Sequence, residues 1–100
     1  MKFTGVLWKF SGKGGWHFIS LPKALSKSIR EELFDAEEGW GRLRTQATLG
    51  EFTWETSIWF DKKLETYLLP VKSEVRKANN LEIDKKYSVI LQFRQHEWVL

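Results

Sequence analysis

The 100-residue chain predicts a mainly β fold with two short helices, in the order ββαβββαβ. Three observations carry this expectation. Apolar and polar residues alternate over 42–49 and again over 52–60, the signature of half-buried strands. Two Leu-Pro steps, at 21–22 and 69–70, each precede a segment whose apolar residues recur at helical spacing. Turn-forming residues fall between these segments, and no linker or low-complexity stretch divides the chain.

The first strand is expected from Lys2 to Phe10, with Val6, Trp8 and Phe10 on one face and Phe3, Gly5 and Leu7 on the other. Ser11-Gly12-Lys13-Gly14-Gly15 then turns the chain, since three glycines in five residues supply positive φ without strain. Trp16 to Ser20 returns as the second strand of a hairpin. Pro22 opens a helix whose buried stripe is Leu25, Ile29 and Leu33. A loop over 35–41 follows, with Trp40 between Gly39 and Gly41. Strand Arg42–Leu49 turns at Gly50-Glu51 into strand Phe52–Phe60, which sets Phe52, Trp54, Thr56, Ile58 and Phe60 on one side. Asp61-Lys62-Lys63 turns into a short strand, Thr66–Leu69. Pro70 is expected to open the second helix, with Val71, Val75 and Ala78 inward and Asn79-Asn80 as its stop. Lys86 to Arg94 closes the domain, with Tyr87, Val89, Leu91 and Phe93 on one face. Residues 95–100 form a tail whose Trp98-Val99-Leu100 end is expected to pack back on the domain at 1–94.

The two halves, about 2–50 and 51–94, look like one ββαβ unit written twice. Leu21-Pro22 aligns with Leu69-Pro70 at an offset of 48, and Phe3-Thr4 with Phe52-Thr53 at 49. Neither half can bury its apolar face alone, so a pseudo-twofold barrel of interlocked halves is expected.

Composition narrows the function. Cysteine is absent, which excludes disulfides, thiol catalysis and thiolate metal sites. Met1-Lys2-Phe3 runs directly into a strand pattern, and no apolar run reaches the ~18–20 residues of a membrane span. A cytoplasmic protein without membrane association is expected, as a monomer. The formal net charge is +3, with an acidic cluster at Glu31, Glu32, Asp35, Glu37 and Glu38. Six tryptophans are more than a core of this size absorbs, so the surplus is expected to line a groove, an interface or a pocket.

Gly15-Trp16-His17-Phe18, Leu21-Pro22, Gly39-Trp40-Gly41, Trp54-Glu55-Thr56-Ser57 and Tyr67-Leu68-Leu69-Pro70-Val71-Lys72 followed by Val75-Arg76-Lys77-Ala78 resemble the bacterial domain of unknown function 1905. The resemblance covers about residues 2–93. It implies a small double-split β-barrel, similar in fold to the AbrB/MazE type of swapped-hairpin domain, which Leu69 to Leu91 resembles separately. Asn80 and Asp84 stand where that type often carries glycine. The resemblance implies a fold and no established activity.

No catalytic constellation stands out. His17 and His96 have no metal-ligand spacing around them, and His17 is expected at the surface or barrel rim. Thr56 and Ser57 lack a nucleophile elbow and are expected to make cross-strand contacts. Glu55, Asp61 and Glu65 are carboxylates that nothing in the sequence pairs across a cleft. Lys72 and Arg76, four apart, are positioned to hold an anion or to form a solvated helix face. Arg42 and Arg44 share a strand face near Trp40, an arrangement that suits stacking on a flat ligand. The expected function is therefore a non-catalytic binding module without cofactor or metal. Its candidates are Trp40, Arg42, Arg44, Lys72 and Arg76, for a small anionic or aromatic ligand or a protein partner. The alternatives are nucleic-acid binding through Arg42, Arg44, Arg76 and Lys77, and an enzyme built on carboxylates.

Overall fold

A computed structural model describes residues 1–33 and 41–93. The elements are β1 (Lys2–Lys9), β2 (His17–Ser20), α1 (Lys23–Leu33), β3 (Arg42–Leu49), β4 (Phe52–Asp61), β5 (Thr66–Pro70), α2 (Ser73–Ala78) and β6 (Lys86–Gln92). The strands close into one antiparallel barrel in the ring order β1-β2-β5-β4-β3-β6. Closure leaves the ring with no terminal strand, which is how a small β-rich chain avoids a sticky edge.

The alternation sets the interior. Phe3, Leu7, Leu43, Ala47, Leu49, Trp54, Ile58, Val89 and Leu91 point inward and are buried, while their strand neighbours face out. β5 differs, since Thr66 to Leu69 are buried on both faces. Helix α1 lies against β5 on the outside of the barrel. Its Ile29 and Leu33 are buried and Leu25 half-buried, as the spacing predicts. Ser26, on the same side, is fully buried, and its Oγ accepts the Tyr67 N–H at 3.0 Å. The expected tail packing at Trp98-Val99-Leu100 lies outside the described residues.

Pro70 corrects one expectation. It is the last residue of β5, opposite Phe18 of β2, and α2 starts three residues later. Lys72 is therefore the N-cap of α2 and not a first-turn residue, and Ala78 faces solvent. A residue before proline is pushed toward extended backbone, and proline itself fits a strand end whose N–H has no partner. The helix stop matches. Asn79 is the C-cap, Asn80 sits at φ 51°, and Leu81 N–H donates to Arg76 O at 2.9 Å, a Schellman closure. Asp84 is also left-handed, at φ 71°, so both residues that stand for glycines take the backbone shape glycine favours.

The ring has twofold connectivity: exchanging β1 with β4, β2 with β5 and β3 with β6 reproduces every neighbour pair. The backbone bonds Leu21 N–H to Tyr67 O and Val71 N–H to His17 O are mates under that exchange, which relates β2 to β5 by fifty residues. The strand registers then carry Phe3 onto Trp54, Gly5 onto Thr56 and Leu7 onto Ile58. The offset of 48 that lays Leu21-Pro22 over Leu69-Pro70 is thus two residues short. A two-residue slip keeps every strand side chain on its face, so alternation alone does not detect it.

Candidate functional site

The two halves differ at one seam, and the difference makes a cavity. In the first half, β1 pairs with β2 over Leu7–Lys9, and the next facing pair is Val6 with Ser20. Gly5 lets the strands stay close there: a Cβ on it would stand 2.6 Å from Ser20 O and 2.7 Å from Ile19 Cγ2. In the second half, β4 pairs with β5 over Trp59–Asp61, and the next facing hydrogen-bonding pair is Ser57 with Pro70. Proline has no N–H, so the ladder stops. By the same registers Thr56 occupies the place of Gly5.

A cavity of about 540 Å³ fills the opened seam. That lies within the ~300–1,000 Å³ typical of small-molecule sites. β4 supplies Trp54, Glu55, Thr56, Ser57 and Trp59; the segment from β5 into α2 supplies Pro70, Val71, Lys72, Ser73 and Arg76; the hairpin between β1 and β2 supplies Gly14 to His17; β3 supplies Arg42. Among the described residues three cations thus face one carboxylate, Glu55, whose Oε2 accepts from Gln46 Nε2 at 3.0 Å. Arg76 is anchored: its Nε donates to Val71 O at 3.2 Å and its Nη1 lies 3.3 Å from His17 Nε2. His17 Nδ1 lies 2.8 Å from Gly15 O. A carbonyl only accepts, so Nδ1 carries the proton and Nε2 is left to accept from Arg76.

Aromatic rings close one side. Trp16 is 44% exposed and stacks parallel to Phe18 at 6.0 Å, and it meets Trp59 at 5.2 Å. Behind them Trp8 packs on Phe18 at 5.2 Å and donates Nε1–H to Ser20 Oγ at 2.9 Å. The rings that meet Trp16 come from β2 and β4, and Trp8 of β1 packs behind Phe18. Only Trp54 of the described tryptophans is a core residue, at 6% exposed.

Of the sequence candidates, the fold gathers Arg42, Lys72 and Arg76 in the main cavity. Arg44 lies in an adjoining recess of about 350 Å³, which shares Glu55, Thr56 and Ser57 with it. Lys77 is on the exposed face of α2 and lines neither. Trp40 lies outside the described residues. His17 is at the rim, as expected, but it is also the partner that orients Arg76. Trp16 and Trp59 were not singled out by their spacing; their pairing follows from strand neighbours distant in sequence. The three carboxylates do not converge: Glu55 lines the main cavity, Asp61 Oδ1 caps its own turn by accepting Leu64 N–H at 2.9 Å, and Glu65 lines another groove. Among the described residues no cluster of three metal-ligating side chains occurs. No helix among them is long and apolar enough to cross a membrane.

That other groove, about 850 Å³, lies between α1 and the β4–β5 turn. Lys23, Lys27 and Arg30 face Glu31 and Glu65 there, and the Arg30 guanidinium covers the Phe60 ring at 4.0 Å. Among the described residues it sets two carboxylates against three cations, one carboxylate more than the Arg42/Lys72/Arg76 cavity has.

A family model described as Domain of unknown function (DUF1905) matches residues 3–91. Comparison with curated proteins finds no match.

Proposed function

Since the chain belongs to the DUF1905 family, whose description carries no activity, we propose from the site alone that the protein is a non-catalytic binding module for a small anionic ligand with a flat apolar portion. The observation that carries this reading is the charge imbalance inside an aromatic-walled recess. Arg42, Lys72 and Arg76 supply positive charge, and Trp16 and Trp59 supply the apolar wall. A guanidinium held by two protein acceptors keeps its remaining N–H groups aimed without further ordering cost, which favours an anion.

Nucleic-acid binding through Arg42, Arg44, Arg76 and Lys77 draws less support. Those residues do not form one ridge: Arg76 is half-buried and Lys77 lies apart from the cavity. A carboxylate-based enzyme draws less still, because among the described residues Glu55 has no second carboxylate in its cavity. The test is tryptophan fluorescence titrated with benzoate, phenyl phosphate and adenosine monophosphate. At least one probe is expected to shift the Trp16/Trp59 emission, and Lys72→Ala is expected to weaken that probe while leaving Tm unchanged. A spectrum unmoved by all three would defeat the reading.

A further inference from the structure

The opened seam contains a polar group that the binding reading does not yet use. Phe60 N–H donates to Gly41 O of the β3 side, so along β4 the backbone groups of Phe60, Ile58 and Thr56 turn toward β3. Those of Trp59 and Ser57 turn the other way, toward β5, because successive peptide groups alternate. Trp59 meets Leu68 there. Continued by two residues, that register sets Ser57 opposite Pro70, which has no N–H to give. Both residues line the cavity, and the alternation turns the Ser57 carbonyl toward the Pro70 side of it. In the other half the matching place is held by Ser20, which does have an N–H, and Gly5 keeps that seam shut.

We infer that the ligand of this site is an acylamino carboxylate with an aromatic side chain. Its amide N–H donates to Ser57 O and takes the bond that Pro70 withholds. Its carboxylate lies on Lys72 and Arg76, and its ring rests against Trp16. A neutral amide suits the cavity better than a free amine, because an ammonium would sit among Arg42, Lys72 and Arg76. The inference rests on the anion-binding reading and adds the donor and the ring-bearing class to it. The same chemistry occurs in a free N-acyl amino acid and in the last residue of a peptide chain.

The experiment measures Kd by calorimetry for four probes. N-acetyl-phenylalanine is the reference. O-acetyl-phenyllactate replaces only the N–H by oxygen, N-acetyl-phenylalaninamide removes only the charge, and acetyl-Gly-Gly-Phe represents the peptide source. Binding of the reference and weakening of the ester by about tenfold or more are expected, since the donor is lost and two oxygens then face each other. The amide should weaken comparably. If the tripeptide binds more tightly than the reference, the source is a peptide C-terminus; if less tightly, a free acyl amino acid. Pro70→Ala supplies the missing N–H to Ser57. It is expected to weaken N-acetyl-phenylalanine toward the ester's affinity and to weaken the ester far less. Equal binding of amide and ester, or a Pro70→Ala effect of the same size on both, would overturn the assignment. If benzoate or phenyl phosphate binds and no acylamino acid does, the inference fails while the anion-binding reading stands.

Discussion

Gly5→Ala is the sharpest test of the two-seam description. The added Cβ would stand 2.6 Å from Ser20 O and 2.7 Å from Ile19 Cγ2. Ordinary contact begins near ~3.5 Å, so the strands must separate by roughly 0.8 Å. Neither obstacle can rotate away. Ser20 O is backbone in a strand paired on both sides, and Ile19 is fully buried in the core. Overpacking of this kind costs about 1–3 kcal/mol. A domain of this size loses about 4–8 °C of Tm per kcal/mol, so a central cost of about 2 kcal/mol predicts a drop of roughly 8–16 °C. Far-UV circular dichroism during heating, with urea unfolding to give the free energy, measures both. Thr56→Ala at the twofold-related position is the control, expected to cost less than about 1 kcal/mol because it removes atoms from a half-buried side chain and overpacks nothing. A Gly5→Ala protein melting within about 2 °C of the parent would refute the closed seam, and with it the account of why only the other seam opens.

Three further outcomes follow from the same geometry. Ser26→Ala removes the acceptor of the buried Tyr67 N–H and is expected to cost about 1–3 kcal/mol in urea unfolding, a large effect for losing one hydroxyl. Asp84→Gly relieves a left-handed residue at φ 71° and is expected to raise stability by roughly 0.5–1 kcal/mol; a loss of stability would mean the Asp side chain does more than tolerate the turn. His17→Ala removes the acceptor that orients Arg76 and is expected to weaken benzoate or phenyl phosphate roughly threefold to tenfold with Tm within about 2 °C of the parent.

The strands and their faces were legible because alternation is local. Phe3 and Leu7, Leu43 to Leu49, Trp54 and Ile58, and Val89 and Leu91 are inward where the pattern puts them. The order ββαβββαβ is the order observed. The start of α2 was not legible, since a proline fits a strand end as well as a helix start, and only the pairing of Pro70 with Phe18 separates the two. Ser26 was invisible as a core residue because its burial depends on a strand forty-one residues away.

The site divides in the same way. Arg42, Lys72 and Arg76 could be named from residue type and spacing, but no local pattern brings β3 and the end of β5, which flank β4, to one cavity. Trp16 and Trp59 are forty-three positions apart and touch because β2 and β4 both flank β5. The sequence by itself determined the elements, the buried faces and the near-repetition of one ββαβ unit, all properties of residues close along the chain. The tertiary structure decided the ring order, the fifty-residue equivalence of β2 and β5, and which seam opens. Those depend on facing partners, Gly5 against Ser20 on one side and Ser57 against Pro70 on the other. A missing Cβ and a missing N–H acquire consequences only when another strand stands opposite them.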